Sequence, residues 1–200
     1  MAADYPRMIR ELLAFYDLTA KTVLAVGGGG GQLIGYGRSA GRVLALDVDR
    51  AALDKLRENV RLAGLEDKYE PVLGDFFEIE LKADVVLFEF SLHEMADPGA
   101  AVARALAMAP DVVVFDHWPG SRWAFYTAED EKIAASWASL GRFPVAKTAS
   151  YEGTQSFVDY GPLEDKVRHL GEPAMSRIMA FKDKTDIRIP MTYGLALIRK

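Results

Sequence analysis

Cysteine is absent from this chain of 200 residues. Its absence excludes disulfide bonds, zinc sites built from thiolates and cysteine nucleophiles. Long apolar runs are lacking as well, since no stretch reaches the roughly 18 residues that a membrane-spanning helix requires. Charged residues stand before the first apolar segment, so no signal peptide is predicted. We therefore expect a cytoplasmic protein without a membrane partner.

A concentrated basic surface is also lacking. The chain has 24 lysines and arginines against 29 aspartates and glutamates, a net charge of −5. Its basic residues are scattered singly among acids, whereas nucleic-acid-binding domains usually carry clustered positive charge on one face. The charge pattern therefore predicts that nucleic acid is not a partner.

The most informative feature that is present is a run of five glycines, Gly27 to Gly31, directly after the apolar run 23–26. This order predicts a buried strand that ends in a tight turn, followed by the start of a helix at Gln32–Tyr36. Glycine reaches positive φ without steric cost and lets a ligand approach the backbone. Because a helix N-terminus offers free N–H groups, the junction predicts a site for a carboxylate, a phosphate or a ribose.

A second apolar strand, 42–46, ends at Asp47. An acid at the carboxyl end of the second strand of a parallel sheet can hydrogen-bond both ribose hydroxyls of a nucleoside. An amphipathic helix with Leu53, Leu56 and Val60 on its apolar face follows. The order of glycine turn, strand and acid therefore predicts an adenosine ligand.

The alternation of strand and helix patterns to about residue 117 predicts a doubly wound α/β sheet. Beyond it we expect a helix opened by a capping box at Thr127–Asp130, a second helix at 162–170, and strands at 176–181 and 192–198 around a polar turn. We expect 1–200 to form a single domain. Its parts would be an N-terminal helix in 1–20, a cofactor-binding core in 21–120, and a helical cap with the final antiparallel strands in 121–200.

The glycine spacing separates two classes of nucleotide-binding protein. The dinucleotide fingerprint G-x-G-x-x-G does not occur directly after the first strand, whereas G-x-G-x-G fits Gly27, Gly29 and Gly31. The stretch KTVLAVGGGGGQLIGYGRSAGRVLALDVD resembles the class I, Rossmann-like S-adenosylmethionine-dependent methyltransferases. Three later segments extend the resemblance in the correct order: Gly74–Phe77, 84–90 and 111–116. It implies a seven-stranded, mostly parallel sheet with an antiparallel last strand, and S-adenosylmethionine as cofactor.

The resemblance also implies cofactor contacts at the strand ends. These are Gly27, Gly28, Gly29, Gly31, Asp47, Val48, Asp75, Phe76 and Glu89. Asp75 would take the adenine amino group, and Phe76 would pack on the ring. The chain departs from the family at Ala25, where an acid that organises the methionine end of the cofactor usually stands. One alternative is therefore a catalytically inactive protein that binds S-adenosylmethionine or S-adenosylhomocysteine with the same fold. Another is a nicotinamide oxidoreductase, which the glycine spacing disfavours.

Candidates for catalysis and for contact with the acceptor follow the fourth and fifth strands. His93 titrates near neutral pH, so it is a candidate base, and Asp116 is a second one. A base is needed only if the acceptor must lose a proton. We expect His93, His117, Trp118 and Tyr126 to contact the acceptor. No metal-ligand spacing occurs among these residues, so no metal site is predicted.

The acceptor class follows from an element that is missing after the fourth strand. The segment 88–91 reads F-E-F-S, where methyltransferases that act on the amino group of a base or of glutamine have an N-P-P-Y type element. Together with the acidic net charge, this favours methyl transfer to a small-molecule O, N or activated C acceptor. Because the segment before the first strand is short, we expect either an open pocket or a homodimer in which a second subunit closes it.

Overall fold

The computed structural model describes residues 3–200, and its centre is a seven-stranded sheet of order β3-β2-β1-β4-β5-β7-β6. The strands are β1 Thr22–Val26, β2 Arg42–Asp47, β3 Tyr69–Leu73, β4 Val85–Glu89, β5 Asp111–His117, β6 Val145–Asp159 and β7 Thr185–Arg199. Strands β1 to β5 pair in parallel, and β7 runs antiparallel to both β5 and β6. The predicted doubly wound, mostly parallel sheet with an antiparallel last strand is confirmed.

Seven helices accompany the sheet in the described residues. They are α1 Tyr5–Phe15, α2 Arg50–Leu62, α3 Pro98–Met108, α4 Arg122–Thr127, α5 Asp130–Ser139, α6 Tyr160–Val167 and α7 Glu172–Ile178. None of the helices within residues 3–200 combines the length and the apolar character needed to cross a membrane.

The two faces of the sheet bury separate apolar clusters, because successive side chains of a strand point to opposite faces. In β1, Val23 and Ala25 pack in the cluster covered by α1, α2, α6 and α7. Leu24 and Val26 pack in the cluster covered by α3. The carboxyl ends of the parallel strands lie together at one edge of these layers, where the site forms.

The turn after β1 differs from its prediction. The segment 32–36 does not begin an α-helix; two 3-10 turns, Gly28–Gly30 and Ile34–Arg38, occupy this part of the chain. Gly27 at φ 76° and Gly31 at φ 67° bound the first turn in the left-handed region, which glycine adopts at little cost. The backbone of a glycine turn, rather than a helix N-terminus, therefore faces the ligand edge.

The C-terminal half also differs in two places. The segment 176–181 is helical, and the partner of β7 is the long strand β6. Short apolar runs do not separate strand from helix by pattern alone, and the buried pair Ala174 and Ile178 has helical spacing. Thr127 ends α4 instead of opening α5, since its hydroxyl donates back to the carbonyl of Ala124 at 3.1 Å.

Candidate active site

The glycine turn packs directly on the end of β2. The amide of Gly29 donates to Oδ2 of Asp47 at 3.0 Å. A methyl group on Gly29 would press on that carboxylate and lie 2.8 Å from Cβ of Ala52. Gly27 is similarly confined, because a Cβ there would lie 2.9 Å from Oγ of Ser91. The turn therefore requires glycine at both positions.

A groove of about 430 Å³ runs along the carboxyl ends of β1 to β4 and is lined by Asp47, Val48, Asp75, Phe76 and Phe77, among others. Oδ1 of Asp47 accepts from the amide of Asp49 at 2.9 Å, so the carboxylate is oriented by backbone on both oxygens. Val48, at 70% exposure, presents apolar surface at the groove. The Asp47 carboxylate would accept hydrogen bonds from ribose hydroxyls, and the apolar surface would pack on a purine. The groove therefore suits the adenosine part of the cofactor.

The adjacent rings of Phe76 and Phe77 at the groove differ in burial. Phe76 is 3% exposed and packs edge-on against Phe88 with ring centroids 5.5 Å apart. Phe77 is 39% exposed and lines the same groove. The sequence predicted packing on the adenine ring for Phe76 and not for Phe77, because only the fold shows which of the two rings keeps an exposed face.

A second cavity of about 290 Å³ adjoins the groove at Gly27 and Phe90. Its polar lining residues are Gln32, Glu89, His117, Gln155 and Lys166. Phe90 has a left-handed backbone at φ 52°, a strained conformation for a residue with a side chain and one that clusters at functional sites. This cavity therefore joins the groove at the glycine turn and brings several polar side chains together.

The chain itself covers this second cavity. Helix α1 contributes Tyr5 and Met8, β6 contributes Gln155, α6 contributes Lys166 and β7 contributes Met191. The long β6 and the helices after it fold back over the glycine turn, so residues of the C-terminal half line this cavity. The two alternatives, an open pocket or a homodimer that closes it, stay predictions.

His93 is held in a buried network of carboxylates. Its Nδ1 lies 2.6 Å from Oδ1 of Asp116, and its Nε2 lies 3.3 Å from Glu94 and 3.7 Å from Glu129. Burial alone would lower the pKa of His93, but hydrogen bonds to Asp116, Glu129 and Glu94 raise it to about 11. These hydrogen bonds favour the charged imidazolium at neutral pH, so the role of His93 as a base stays a prediction.

Asp116 is likewise held by hydrogen bonds within the protein. It is fully buried, and besides the His93 ring it accepts from the backbone amides of His93 at 3.1 Å and His117 at 2.8 Å. Neither Asp116 nor His93 is among the residues that line the groove or the cavity. In this structure the pair braces the loop after β4 against the end of β5, and the catalytic roles of both residues stay predictions.

The same network groups side chains of metal-ligand type. One ligand atom from each of His93, Glu94 and Glu129 lies within 4.8 Å of the others, a set that the sequence analysis did not select. Lys132 already pairs with Glu94 at 3.0 Å, and the protonated His93 ring lies among the carboxylates. Two cations, Lys132 and the protonated His93, thus face the three carboxylates of Glu94, Glu129 and Asp116.

His117 differs from His93 although the two rings lie 5.9 Å apart. Burial lowers the pKa of His117 to about 4, with Asp116 acting in the opposite direction and the His93 charge adding to the fall. Its ring packs on Phe90 at 4.8 Å, and its Nδ1 has no hydrogen-bond partner in residues 3–200. His117 therefore lines the cavity as a neutral imidazole.

The other two predicted acceptor contacts lie away from the cavity lining. Trp118 packs against Trp137 at 4.5 Å, and Tyr126 packs against Phe181 at 4.9 Å. Trp123 and Lys166 line the cavity instead. Trp123 belongs to the same aromatic segment of sequence, but a single lysine in an amphipathic helix carries no sequence signal for a site.

Solved structures with the same arrangement of elements place the fold among the class I methyltransferases. An S-adenosylmethionine-dependent methyltransferase of Aquifex aeolicus is 18% identical with a TM-score of 0.64, over 100% of this chain and 91% of that one. The magnesium protoporphyrin IX methyltransferase of Synechocystis, solved with bound S-adenosylhomocysteine, is 15% identical with a TM-score of 0.61, over 98% and 81%. The YcgJ protein of Bacillus subtilis is 10% identical with a TM-score of 0.67, over 98% and 99%.

The family model of the RNA cap guanine-N2 methyltransferases matches residues 20–119, half of the chain. The chain belongs to this family. Fold and family together support S-adenosylmethionine as the cofactor, and the prediction of an S-adenosylmethionine-dependent methyltransferase is confirmed.

The prediction that nucleic acid is not a partner is wrong, because the family is named for an RNA acceptor. The prediction rested on net charge and on the scatter of basic residues. Both describe the surface as a whole, whereas an acceptor is recognised by the local geometry of one site.

Proposed function

We propose that this methyltransferase acts on a compact small molecule that carries a negatively charged group and enters the cavity beside the glycine turn. The observation that carries this proposal is the cavity of about 290 Å³, in which Lys166 is the one cation among the described lining residues. Protein cavities for small ligands usually measure about 300–1,000 Å³, so this one suits a ligand at the small end of that range.

Lys166 supports an anionic acceptor. Burial lowers the pKa of its ammonium group, and no carboxylate within residues 3–200 forms an ion pair with it. Its Nζ lies 6.0 Å from the centroid of the Trp123 ring. Because a partly desolvated cation is costly without a partner, an acceptor with a carboxylate or similar group would offset that cost.

Two uncharged groups support a hydroxyl or an amine on the same acceptor, which can donate to Oε1 of Gln155 and either donate to or accept from Nδ1 of His117. Oε1 of Gln155 and Nδ1 of His117 are buried without a partner in the described residues, although Nε2 of Gln155 is engaged by the sulfur of Met191 at 3.1 Å. Buried polar atoms are normally paired. A hydroxyl or an amine on the acceptor would supply the missing partner and is also the kind of atom that is methylated.

The rate of methyl transfer depends mainly on how the cofactor and the acceptor are positioned. Methyl transfer is an in-line displacement, for which positioning of the two reactants and exclusion of water supply much of the rate. Phe90 lies between the groove and the cavity and packs on His117 at 4.8 Å. Its ring would keep water away from the point where the acceptor atom approaches the methyl group.

The family favours a second candidate, the amino group of a guanine in an RNA cap. A larger cavity of about 810 Å³ runs along α1, β6 and β7 and shares Ala3, Met8 and Met191 with the smaller one. A base that entered the small cavity would leave the rest of its nucleotide in this larger one. The family membership and this continuity are what support the second candidate.

Formation of S-adenosylhomocysteine measures both candidates in one assay. The purified protein is given S-adenosylmethionine with small amines, phenols and hydroxy acids, each with and without an anionic group, and in parallel with cap dinucleotides and capped RNA. We expect turnover on anionic small molecules. Turnover on capped RNA alone would replace the first candidate by the second, and turnover on uncharged molecules alone would overturn the anionic requirement.

Lys166→Met tests whether this lysine binds the acceptor. We expect it to raise KM for the acceptor at least about tenfold, the loss of one charge-assisted hydrogen bond, with no change in the Kd of S-adenosylhomocysteine. The exposed Lys182→Met is the control and is expected to change neither quantity. An unchanged acceptor KM in Lys166→Met would remove Lys166 from the acceptor site.

A further inference from the structure

The carboxylate of Glu89 lies beside the glycine turn at the end of β4. Strand β4 pairs with β1, so that Ala25 stands opposite Leu87 and Val26 opposite Phe88. A Cβ built on Gly28 would lie 3.5 Å from Cβ of Ala25 and equally 3.5 Å from Cδ and Oε1 of Glu89. Ala25 and the Glu89 carboxylate therefore share one small space under the turn.

The small side chain at position 25 is what leaves room for that carboxylate. Ala25 is 1% exposed and packs in the core with Val23 and Leu87. An aspartate at position 25 would direct its own carboxylate into the space that Glu89 occupies. One acid from β4 thus stands where an acid from β1 is missing.

Glu89 is partly buried at the edge of the cavity and has no counterion in the described residues. Tyr36, itself 1% exposed, donates its hydroxyl to Oε1 of Glu89, and no lysine, arginine or histidine in residues 3–200 pairs with the carboxylate. Burial raises the pKa of Glu89 to about 7, with the Tyr36 hydrogen bond acting in the opposite direction. An ionised carboxylate in this position is costly unless a cation binds to it.

We propose that Glu89, oriented by Tyr36, is the anionic ligand for the α-ammonium group of S-adenosylmethionine and replaces an acid at position 25. An ammonium group offers three N–H donors to a carboxylate, whereas a sulfonium offers charge but no donor. The inference rests on the cofactor and is independent of the acceptor, since it is tested without any acceptor present.

Calorimetric titration with two ligands separates this role from a structural one. S-Adenosylhomocysteine carries the ammonium group but no sulfonium, and 5′-methylthioadenosine lacks the amino-acid part altogether. In Glu89→Gln we expect the affinity for S-adenosylhomocysteine to fall at least about tenfold, as for the loss of a charge-assisted hydrogen bond, and the affinity for 5′-methylthioadenosine to change less than twofold.

Tyr36→Phe and Glu58→Gln complete the set. Tyr36→Phe leaves the carboxylate in place but unoriented, so its effect should be smaller and again confined to S-adenosylhomocysteine. Glu58 lies exposed on α2, so Glu58→Gln should change neither ligand. Equal losses for both ligands in Glu89→Gln would show a structural role, and unchanged affinity for both would overturn the proposal.

The pH dependence of binding supplies a second readout. With a pKa of about 7 for Glu89 in the free protein, the ionised fraction falls from about 0.9 at about pH 8 to about 0.1 at about pH 6. We expect wild-type affinity for S-adenosylhomocysteine to fall about tenfold over that range and to stay flat in Glu89→Gln. A flat wild-type profile would contradict the proposal.

The other titratable groups at this cavity are Tyr5, Tyr36, His117 and Lys166, and Tyr69 lies behind Tyr36 with ring centroids 6.3 Å apart. The pKa values of the three tyrosines are raised above 10.0, and that of His117 is lowered to about 4. None of these four titrates near neutrality. Burial lowers the pKa of Lys166, so Lys166→Met is the control that separates titration of the lysine from titration of Glu89. We expect this variant to keep the wild-type pH profile of binding. Loss of the pH dependence in this variant would assign it to the lysine.

An exchange of positions gives the sharpest test. Ala25→Asp in a Glu89→Ala background returns one carboxylate to the same space from β1, so we expect part of the lost affinity for S-adenosylhomocysteine to return. Ala25→Asp alone should weaken binding, because it places two carboxylates side by side. A folded double variant that binds no better than Glu89→Ala would contradict the interchange of the two positions.

Discussion

Replacing His93 by alanine removes one partner of a buried ion pair and leaves the other in place. His93 is 6% exposed and Asp116 is fully buried, and the ring Nδ1 lies 2.6 Å from the carboxylate. In His93→Ala the carboxylate of Asp116 keeps only two backbone donors, the amides of residues 93 and 117. The free energy of unfolding should therefore fall by much more than the loss of packing alone.

The expected size follows from measurements on buried pairs. Removing one partner of such a pair costs about 3–5 kcal/mol, and the two remaining amide donors place the expectation at the lower end, about 3 kcal/mol. A domain of this size is usually stable by about 5–15 kcal/mol, so His93→Ala should fold at room temperature with a clearly lower urea midpoint.

Urea unfolding followed by circular dichroism measures the change, with the exposed His169→Ala as the matched control. The control should stay within about 0.5 kcal/mol of the wild type, as surface substitutions usually do. A loss below about 1 kcal/mol in His93→Ala, within the range of an ordinary hydrogen bond, would refute the charged, buried pair.

The same pair predicts a pH dependence with a definite sign. The folded pKa of His93, about 11, lies above the ordinary histidine value of 6.5, so its stabilisation is fully present below about pH 6.5 and is lost as the pH rises toward about 11. The variant that combines His93→Ala with Asp116→Asn lacks both groups and should not show this decline. Its presence in that variant would assign the decline to other groups.

Two further predictions concern the cofactor groove. Asp47→Ala removes the carboxylate that accepts from the Gly29 amide at 3.0 Å and should weaken binding of S-adenosylhomocysteine by about 1–3 kcal/mol; the exposed Asp54→Ala is the calorimetric control, and an unchanged Kd would remove Asp47 from the site. Gly29→Ala places a methyl group 2.8 Å from Cβ of Ala52, so it should lower stability by about 1–3 kcal/mol and weaken the same ligand. Gly141→Ala meets no atom within 4 Å and should be neutral; equal behaviour of the two alanine variants in urea unfolding would contradict the crowding at Gly29.

Local patterns predicted the elements that carry the groove. The second strand was expected at 42–46 and forms at Arg42–Asp47. The amphipathic helix expected after it forms at Arg50–Leu62 and buries Leu53, Leu56 and Val60. Apolar runs and helical periodicity act over a few residues. Such signals are complete within the sequence and need no tertiary contact.

The same patterns were insufficient where contacts across the sheet decide the outcome. The long β6 is mostly polar and exposed, and it forms because it pairs with β7 over almost its whole length. His93 was expected to be a base because an isolated imidazole titrates near neutrality. Its environment includes Asp116 and Glu129, which are distant in sequence, so its pKa could be judged only in the fold.

The sequence by itself determined the strands β1, β2, β4 and β5, the glycine turn and the position of Asp47 at the end of β2, which together predict a nucleoside-binding fold. These follow from short-range periodicity, from glycine's access to positive φ, and from the rule that parallel strands present their carboxyl ends at one edge. Only the tertiary structure decided that Glu89 shares the space beside Ala25, and that Lys166 and Trp123 line the cavity. Burial, charge and free volume at those positions are made by segments far apart in the chain, and no local pattern contains them.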